Sequence, residues 1–158
     1  MLTRFVALAG GPRASIVVIS TASSLSAEIT SVYLRAFDEL GAGQVVGIRP
    51  ETRIEADLPA LAVAVEAATG VFMTGGNQMK LSTALGGTRL GAAIRAAHER
   101  GVVVAGTSAG ASAIGRHMAH PGDLVVVCVD AARAVWDELQ DRTSRAQAGA
   151  RGGDPDEV

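Results

Sequence analysis

A serine flanked by glycines follows an apolar run in the segment GVVVAGTSAGAS, residues 101–112. Gly106, Ser108 and Gly110 have the spacing G-x-S-x-G, which is typical of a nucleophile on a sharp turn between a strand and a helix. Such a turn crowds the backbone around the serine, so neighbours without a Cβ atom are needed. We therefore predict that Ser108 is a nucleophile; the alternative is a serine with only a structural role in a tight turn.

A second glycine-rich segment, VFMTGGNQ, also follows an apolar run. Asn77 is suited to cap the helix that comes next. In a parallel sheet this loop opens at the same edge as Ser108. Backbone N–H groups around Gly76 and Asn77 would then join that of Ala109 in binding an oxyanion. Together the two segments favour the chemistry of acyl transfer.

A serine nucleophile needs a base, usually histidine, and the chain contains three histidines. His98 lies near the end of a predicted helix that leads back to the strand before Ser108, which places it at the opposite edge of the sheet. His117 and His120 follow the serine, and a continued helix would carry them away from it. We expect surface or capping roles for all three, so the residues identify no base.

The elements that must position these groups alternate along the chain. Short apolar runs predict strands that are covered on both faces, and the helical patterns between them predict a doubly wound, mostly parallel α/β sheet. Leu2, Phe5, Val6 and Ala9 share one face of a helix that stops at two glycines, where such a fold normally begins with a strand. The predicted strands are 15–20, 44–48, 70–73, 101–105 and 124–129.

Further helices are expected between these strands. One lies between the first two strands and stops at Gly41. Another opens at Asp57 and Pro59, a third runs from Thr88 to Arg100, and the last starts near Asp130.

Composition bounds the class of protein. The chain has 158 residues, a net charge of −2 and 48% hydrophobic residues, which predicts one domain over residues 1–148 and a polar, disordered tail at 149–158. The charge offers no reason to expect a nucleic-acid or membrane partner. Cys128 is the single cysteine, so we expect no disulfide and no metal site, and no cofactor motif follows any strand. A cytoplasmic location is the default expectation.

The segments LAGGPRASIVVISTASS, VFMTGGNQ and GVVVAGTSAGASA resemble the cyanophycinases and the related peptidase E, over roughly residues 2 to 118. This resemblance implies a serine exopeptidase on a class I glutamine-amidotransferase-like, flavodoxin-like α/β fold. It implies that Ser108 is the nucleophile, that Gly76 and Ala109 supply the oxyanion-hole amides, and that Asn77 and Gln78 belong to the substrate pocket. The implied substrates are aspartyl and arginyl peptides.

The chain also departs from the family pattern. Asn77 stands where cyanophycinases usually have aspartate, although peptidase E has asparagine there, and Ser20 stands where proline is common. Family chains are longer, and their histidine lies in a DQH-type segment some way beyond the serine. The corresponding region here, SRAQAGARGGDPDEV, has no histidine. We therefore expect a chain that is truncated at both ends relative to the family. Such a chain would be either marginally stable or dependent on another chain, such as a second copy, to complete its sheet.

Two further functions stay open. One is a catalytically inactive homologue in which the turn around Ser108 survives only as fold geometry. The other is an amidotransferase-like domain, which is disfavoured because that chemistry uses a cysteine at the position of Ser108.

Overall fold

The computed structural model describes residues 1–114, which form a four-stranded sheet with helices on both faces. Its strands lie in the order β2-β1-β3-β4, and each neighbouring pair is parallel. The strands are β1 (Ser15–Ile19), β2 (Gln44–Ile48), β3 (Gly70–Met73) and β4 (Val103–Gly106). All four carboxyl ends therefore share one edge, and the predicted α/β class with a parallel sheet is confirmed.

Seven α-helices are described, together with a 3₁₀ turn at Gly11–Arg13 that joins the first helix to β1. The helices are α1 (Leu2–Ala9), α2 (Ser26–Glu39), α3 (Arg53–Ala56), α4 (Pro59–Glu66), α5 (Gln78–Leu85), α6 (Arg89–Glu99) and α7 (Ala109–Ser112). Within residues 1–114, β1 and β3 are paired on both sides, while β4 pairs with β3 alone.

One face of the sheet is covered by an aromatic cluster. Phe5 of α1, Tyr33 and Phe37 of α2 and Phe72 of β3 have ring centroids 4.9 to 6.1 Å apart. All four rings are buried. The predicted apolar face of α1 is confirmed for Phe5, Val6 and Ala9, which are buried, while Leu2 is half-buried; Gly10 ends the helix at φ 119°. Tilted ring pairs of this kind stabilise a core beyond their buried area.

The opposite face is aliphatic. Side chains on a strand alternate between the two faces, so Val17 and Ile19 of β1 and Val71 and Met73 of β3 point away from the aromatic rings. They pack with buried residues of α4, α5 and α6 in one cluster that also contains Ala109 of α7. The start of α7 is therefore anchored in the core.

Three predicted boundaries were wrong in detail. β4 starts at Val103, because Gly101, at φ 84°, and the following residue still satisfy the last carbonyls of α6. β1 ends at Ile19, and Ser20 uses its hydroxyl in buried hydrogen bonds with α2. Asp57 does not open α4: it ends α3, and its carboxylate accepts the backbone N–H of Arg89 at 2.8 Å.

Several expectations lie outside the described residues. They are the strand at 124–129, the helix near Asp130, Cys128, His117, His120 and the tail at 149–158. The division into residues 1–148 and a tail likewise stays a prediction.

Candidate active site

Ser108 stands on the short turn between β4 and α7. Its backbone has φ 48° and ψ −116°, and it is the one residue other than glycine with positive φ within residues 1–114. Its side chain is exposed. A side chain in this region of φ and ψ is strained, and such strain persists only where the surrounding structure imposes it. Strain at a serine between a strand and a helix is the expected geometry of a nucleophile elbow.

The two glycines around Ser108 lie against the end of β3. A Cβ atom at Gly106 would lie 2.7 Å from the carbonyl oxygen of Met73, and one at Gly110 would lie 2.6 Å from its carbonyl carbon. Real Cβ atoms do not approach a backbone that closely. Both positions therefore require glycine for packing, in line with the elbow role that we predict for them.

The loop after β3 runs beside Ser108. A Cβ atom at Gly75 would lie 3.2 Å from the Cβ of Ser108, so the loop and the turn are in direct contact. Gly76 has φ 144°, and a Cβ there would overlap the carbonyl of Ala22 in the loop after β1. Asn77 donates its backbone N–H to that same carbonyl at 2.8 Å. The loop after β3 thus packs against the loop after β1 on one side and against the Ser108 turn on the other.

The backbone N–H groups of this region differ in whether they are already hydrogen-bonded. Gly75 donates its N–H to the hydroxyl of Thr107 at 2.9 Å. The N–H groups of Gly76 and Ala109 have no acceptor among residues 1–114. These are the two amides that the resemblance implies for the oxyanion hole, and free donors next to a nucleophile are what that function requires. The N–H of Asn77, which was also a candidate donor, is instead bonded to the carbonyl of Ala22.

Asn77 and Gln78 lie at the start of α5. The predicted cap is confirmed, because the side-chain oxygen of Asn77 accepts the backbone N–H of Lys80 at 3.0 Å. That oxygen already accepts one hydrogen bond, whereas the side-chain amide nitrogen of Asn77 has no partner among residues 1–114. Gln78 is half-buried in the first turn of α5. Their assignment to the substrate pocket stays a prediction.

Some residues that support this site were missed at the level of sequence. Lys80 is the single lysine of the chain, and its Nζ donates to the carbonyl of Ser23 at 3.2 Å, which ties α5 to the loop after β1. Thr107 is buried directly before Ser108 and bonds both Gly75 and Tyr33. A polar residue at the end of an apolar strand was the available signal for Thr107. Nothing in the sequence pointed to its partners.

Within residues 1–114 there is no base beside Ser108. His98 is exposed near the end of α6, which leads into the amino end of β4, whereas Ser108 follows the carboxyl end of that strand. The hydroxyl of Ser108 has no hydrogen-bond partner in this part of the chain. His117 and His120 fall outside it.

The same described residues show no group of three or more metal-binding side chains. No helix among them is long and apolar enough to cross a membrane.

Known proteins resemble this chain in both sequence and structure. A profile for Peptidase family S51 matches residues 1–129. The chain belongs to this family. The resemblance drawn from the three glycine-rich segments is thereby confirmed.

Three cyanophycinases are similar to this S51 chain. That of Trichormus variabilis (strain ATCC 29413 / PCC 7937) is 37% identical over 119 residues, covering 75% of this chain and 40% of its own length. That of Geminocystis herdmanii (strain PCC 6308) is 38% identical over 119 residues, covering 75% and 44%. That of Synechococcus elongatus is 33% identical over 123 residues, covering 77% and 38%. The chain thus spans about two fifths of the length of these curated relatives.

Two solved structures share the fold of this S51 chain. A putative peptidase E from Listeria monocytogenes EGD-e superposes with a TM-score of 0.56 at 24% identity, over 71% of this chain and 55% of that one. A peptidase from an acI-B1 Actinobacterium gives a TM-score of 0.52 at 24% identity, over 70% and 47%. At this identity the likeness establishes a peptidase E-like fold.

Proposed function

We propose that the protein is a serine peptidase in which Ser108 is the nucleophile. The observation that carries the proposal is the strained, exposed serine between β4 and α7, beside two backbone N–H groups that have no other acceptor among residues 1–114. Family membership supports a peptidase, and this geometry supports the serine as its reacting residue.

In the proposed reaction the Oγ of Ser108 attacks the carbonyl carbon of an amide bond. The oxygen of that carbonyl becomes an oxyanion, which the N–H groups of Gly76 and Ala109 stabilise. The C–N bond then breaks, the serine proton passes to the leaving amine, and an acyl-enzyme forms. Water attacks this ester, which releases the acid and restores the hydroxyl. Among residues 1–114, no group that could carry this proton is hydrogen-bonded to the hydroxyl of Ser108.

We propose that the amide bond lies next to aspartate. The support is the similarity to proteins named cyanophycinase, together with Asn77 and Gln78, which the resemblance implies for the substrate pocket. The substrates would be aspartyl or arginyl peptides, and no cofactor is needed. We keep a cytoplasmic location and an assembly of identical chains as expectations.

A fluorophosphonate probe tests the nucleophile directly, because it phosphonylates an activated serine and stays attached. We expect wild-type protein to be labelled at Ser108 and Ser108→Ala to be unlabelled. Ser112→Ala is the matched control: Ser112 lies one turn further along α7, and its loss should leave labelling within twofold of wild type. A wild type that labels no more than Ser108→Ala would refute the proposed nucleophile.

Hydrolysis of a β-aspartyl-arginine dipeptide, measured as free arginine released, tests the substrate class. Labelling of Ser108 with no release from this dipeptide, but release from other peptides, would retain the serine peptidase and reject the aspartyl substrate.

A second candidate is a catalytically inactive homologue. It is favoured by one observation: His98, the histidine within residues 1–114, lies at the amino edge of the sheet while Ser108 lies at the carboxyl edge. A folded wild type that neither reacts with the probe nor releases arginine supports this candidate.

A further inference from the structure

Thr107 uses all of its polar groups at the carboxyl edge of the sheet. Its side chain is buried, with 5% of its surface exposed. Its backbone N–H donates to the carbonyl of Met73 at 3.1 Å, and its carbonyl accepts the N–H of Gly110 at 2.9 Å. Its hydroxyl oxygen accepts the N–H of Gly75 at 2.9 Å. One residue therefore joins the end of β3, the loop after it and the Ser108 turn.

The hydroxyl of Thr107 acts on the loop that contains the predicted oxyanion donor. The N–H before Gly76, that of Gly75, is held by Thr107, and the N–H after it, that of Asn77, is held by the carbonyl of Ala22 at 2.8 Å. Between these two fixed amides, the N–H of Gly76 is the one without an acceptor in residues 1–114. The two flanking bonds therefore restrict the direction in which the N–H of Gly76 can point.

The phenol of Tyr33, on the aromatic face of the sheet, contacts the hydroxyl of Thr107. Its phenol oxygen lies 3.5 Å from Oγ1 of Thr107, and its ring is 4.9 Å from that of Phe72 in the aromatic cluster. Burial raises the pKa of the Tyr33 phenol, while the hydrogen bond to Thr107 lowers it. The phenol is therefore protonated at neutral pH, and either hydroxyl can donate to the other.

We propose that Thr107 is a positioning residue, which acts through Gly75 to aim the N–H of Gly76 at the oxyanion, with Tyr33 holding the Thr107 side chain in place. This inference rests on the proposed function, because it assigns a role in the reaction at Ser108. The residue touches no reacting atom. Its effect is to preorganise a donor, which is the form of catalysis that a fixed hydrogen-bond network supplies.

Three variants of the full chain separate this role from packing. Thr107→Val keeps the branched shape and removes the acceptor for Gly75. Thr107→Ser keeps the hydroxyl and loses a methyl group. Tyr33→Phe keeps the ring and removes the phenol oxygen. We expect Thr107→Val to slow phosphonylation of Ser108 by about 10- to 100-fold, Tyr33→Phe by less, and Thr107→Ser to stay within about threefold of wild type.

Amide hydrogen exchange of residues 75–77, measured by NMR, reports on the loop without any reaction. We expect the exchange of Gly75 to rise about tenfold or more in Thr107→Val and to be restored in Thr107→Ser. Thermal unfolding of each variant identifies any that has lost its fold, and Thr107→Ser keeps the test informative if Thr107→Val does not fold.

The outcomes separate the two proposals. If wild type is not phosphonylated, the proposed function fails, and amide exchange still decides whether Thr107 restrains the loop. If exchange at Gly75 is unchanged in Thr107→Val, the restraint itself is refuted. If exchange rises but Thr107→Val reacts as fast as wild type, the loop is restrained without any role in the reaction, and the inference is overturned.

Discussion

On each side of strand β4 the chain turns at a residue with positive φ, but the two residues differ. At its amino end, the chain turns out of α6 through Gly101, which has φ 84° and would leave a Cβ atom in open space. At its carboxyl end, the chain turns into α7 through Ser108, which has φ 48° and carries a side chain. Glycine adopts positive φ without strain, whereas serine does not. The difference indicates that the side chain at position 108 is retained despite a cost to the fold.

The two turns also differ in what holds them. The Gly101 turn is closed by hydrogen bonds from residues 101 and 102 to carbonyls of α6, all within one short segment. The Ser108 turn depends on Met73, Gly75 and Tyr33, which are distant in sequence. A locally closed turn tolerates substitution, because its neighbours do not have to move. In a turn held by tertiary contacts, a substitution that shifts one contacting residue also shifts the residues of the site.

The largest expected effect on stability comes from a methyl group added beside the Ser108 turn, and the matched comparison is a methyl group added at the Gly101 turn. Gly110→Ala places a Cβ atom against the Met73 carbonyl, and we expect the free energy of unfolding to fall by about 3 kcal/mol with loss of phosphonylation at Ser108. Gly101→Ala meets nothing within 4 Å and carries only the cost of positive φ, about 1–2 kcal/mol, with labelling retained. Urea unfolding measures both. Equal destabilisation by the two variants would contradict the contrast.

A smaller effect of opposite sign is expected from relieving the strain at Ser108. Ser108→Gly removes a strain of about 1–3 kcal/mol and adds about 0.5–1 kcal/mol of unfolded-state entropy, so we expect a gain of about 1 kcal/mol in the free energy of unfolding. Ala111→Gly in the adjoining helix has no strain to relieve and should lose about 0.5–1 kcal/mol. Both values come from urea unfolding. A loss of stability in Ser108→Gly would show that the turn is not strained.

The smallest expected effect is a pH dependence of stability that comes from Tyr33, whose buried phenol contacts Thr107 beside the Ser108 turn. Because burial raises the folded-state pKa of Tyr33, the folded protein keeps the phenol proton at pH values where the unfolded chain loses it. This contribution to stability is complete below about pH 10 and is lost as the pH rises through the folded pKa. Tyr33 is the single tyrosine, so phenolate absorbance reports it alone.

Titration of that absorbance should therefore give a midpoint above 10 in folded protein and near 10 in urea-unfolded protein. Unfolding in the same alkaline range should be less dependent on pH in Tyr33→Phe than in wild type. Matching midpoints in the folded and unfolded states would show that the phenol beneath Thr107 is open to water.

Local patterns predicted most of the individual elements. Continuous apolar runs located three strands within one residue, and the spacing of Phe5, Val6 and Ala9 located the buried face of α1. Asn77 was recognised as a cap because its type and position before a helix are enough for that function. The start of β4 was predicted two residues too early. Gly101 and Val102 bond to the end of α6, but Val102 is β-branched like the strand residues that follow it, so the sequence pattern does not separate them.

What the sequence determined by itself is the class of fold and the family, and it gave the prediction that Ser108 is the nucleophile, because each depends on residue types within short segments. Only the tertiary structure decided that Gly75 is tied to Thr107 while Gly76 is left free. The bond joins the segments that follow two neighbouring strands of the sheet, although Gly75 and Thr107 are 32 residues apart in the chain. Spacing in a sequence carries no information on such pairs, because the sheet and its packed faces bring them together.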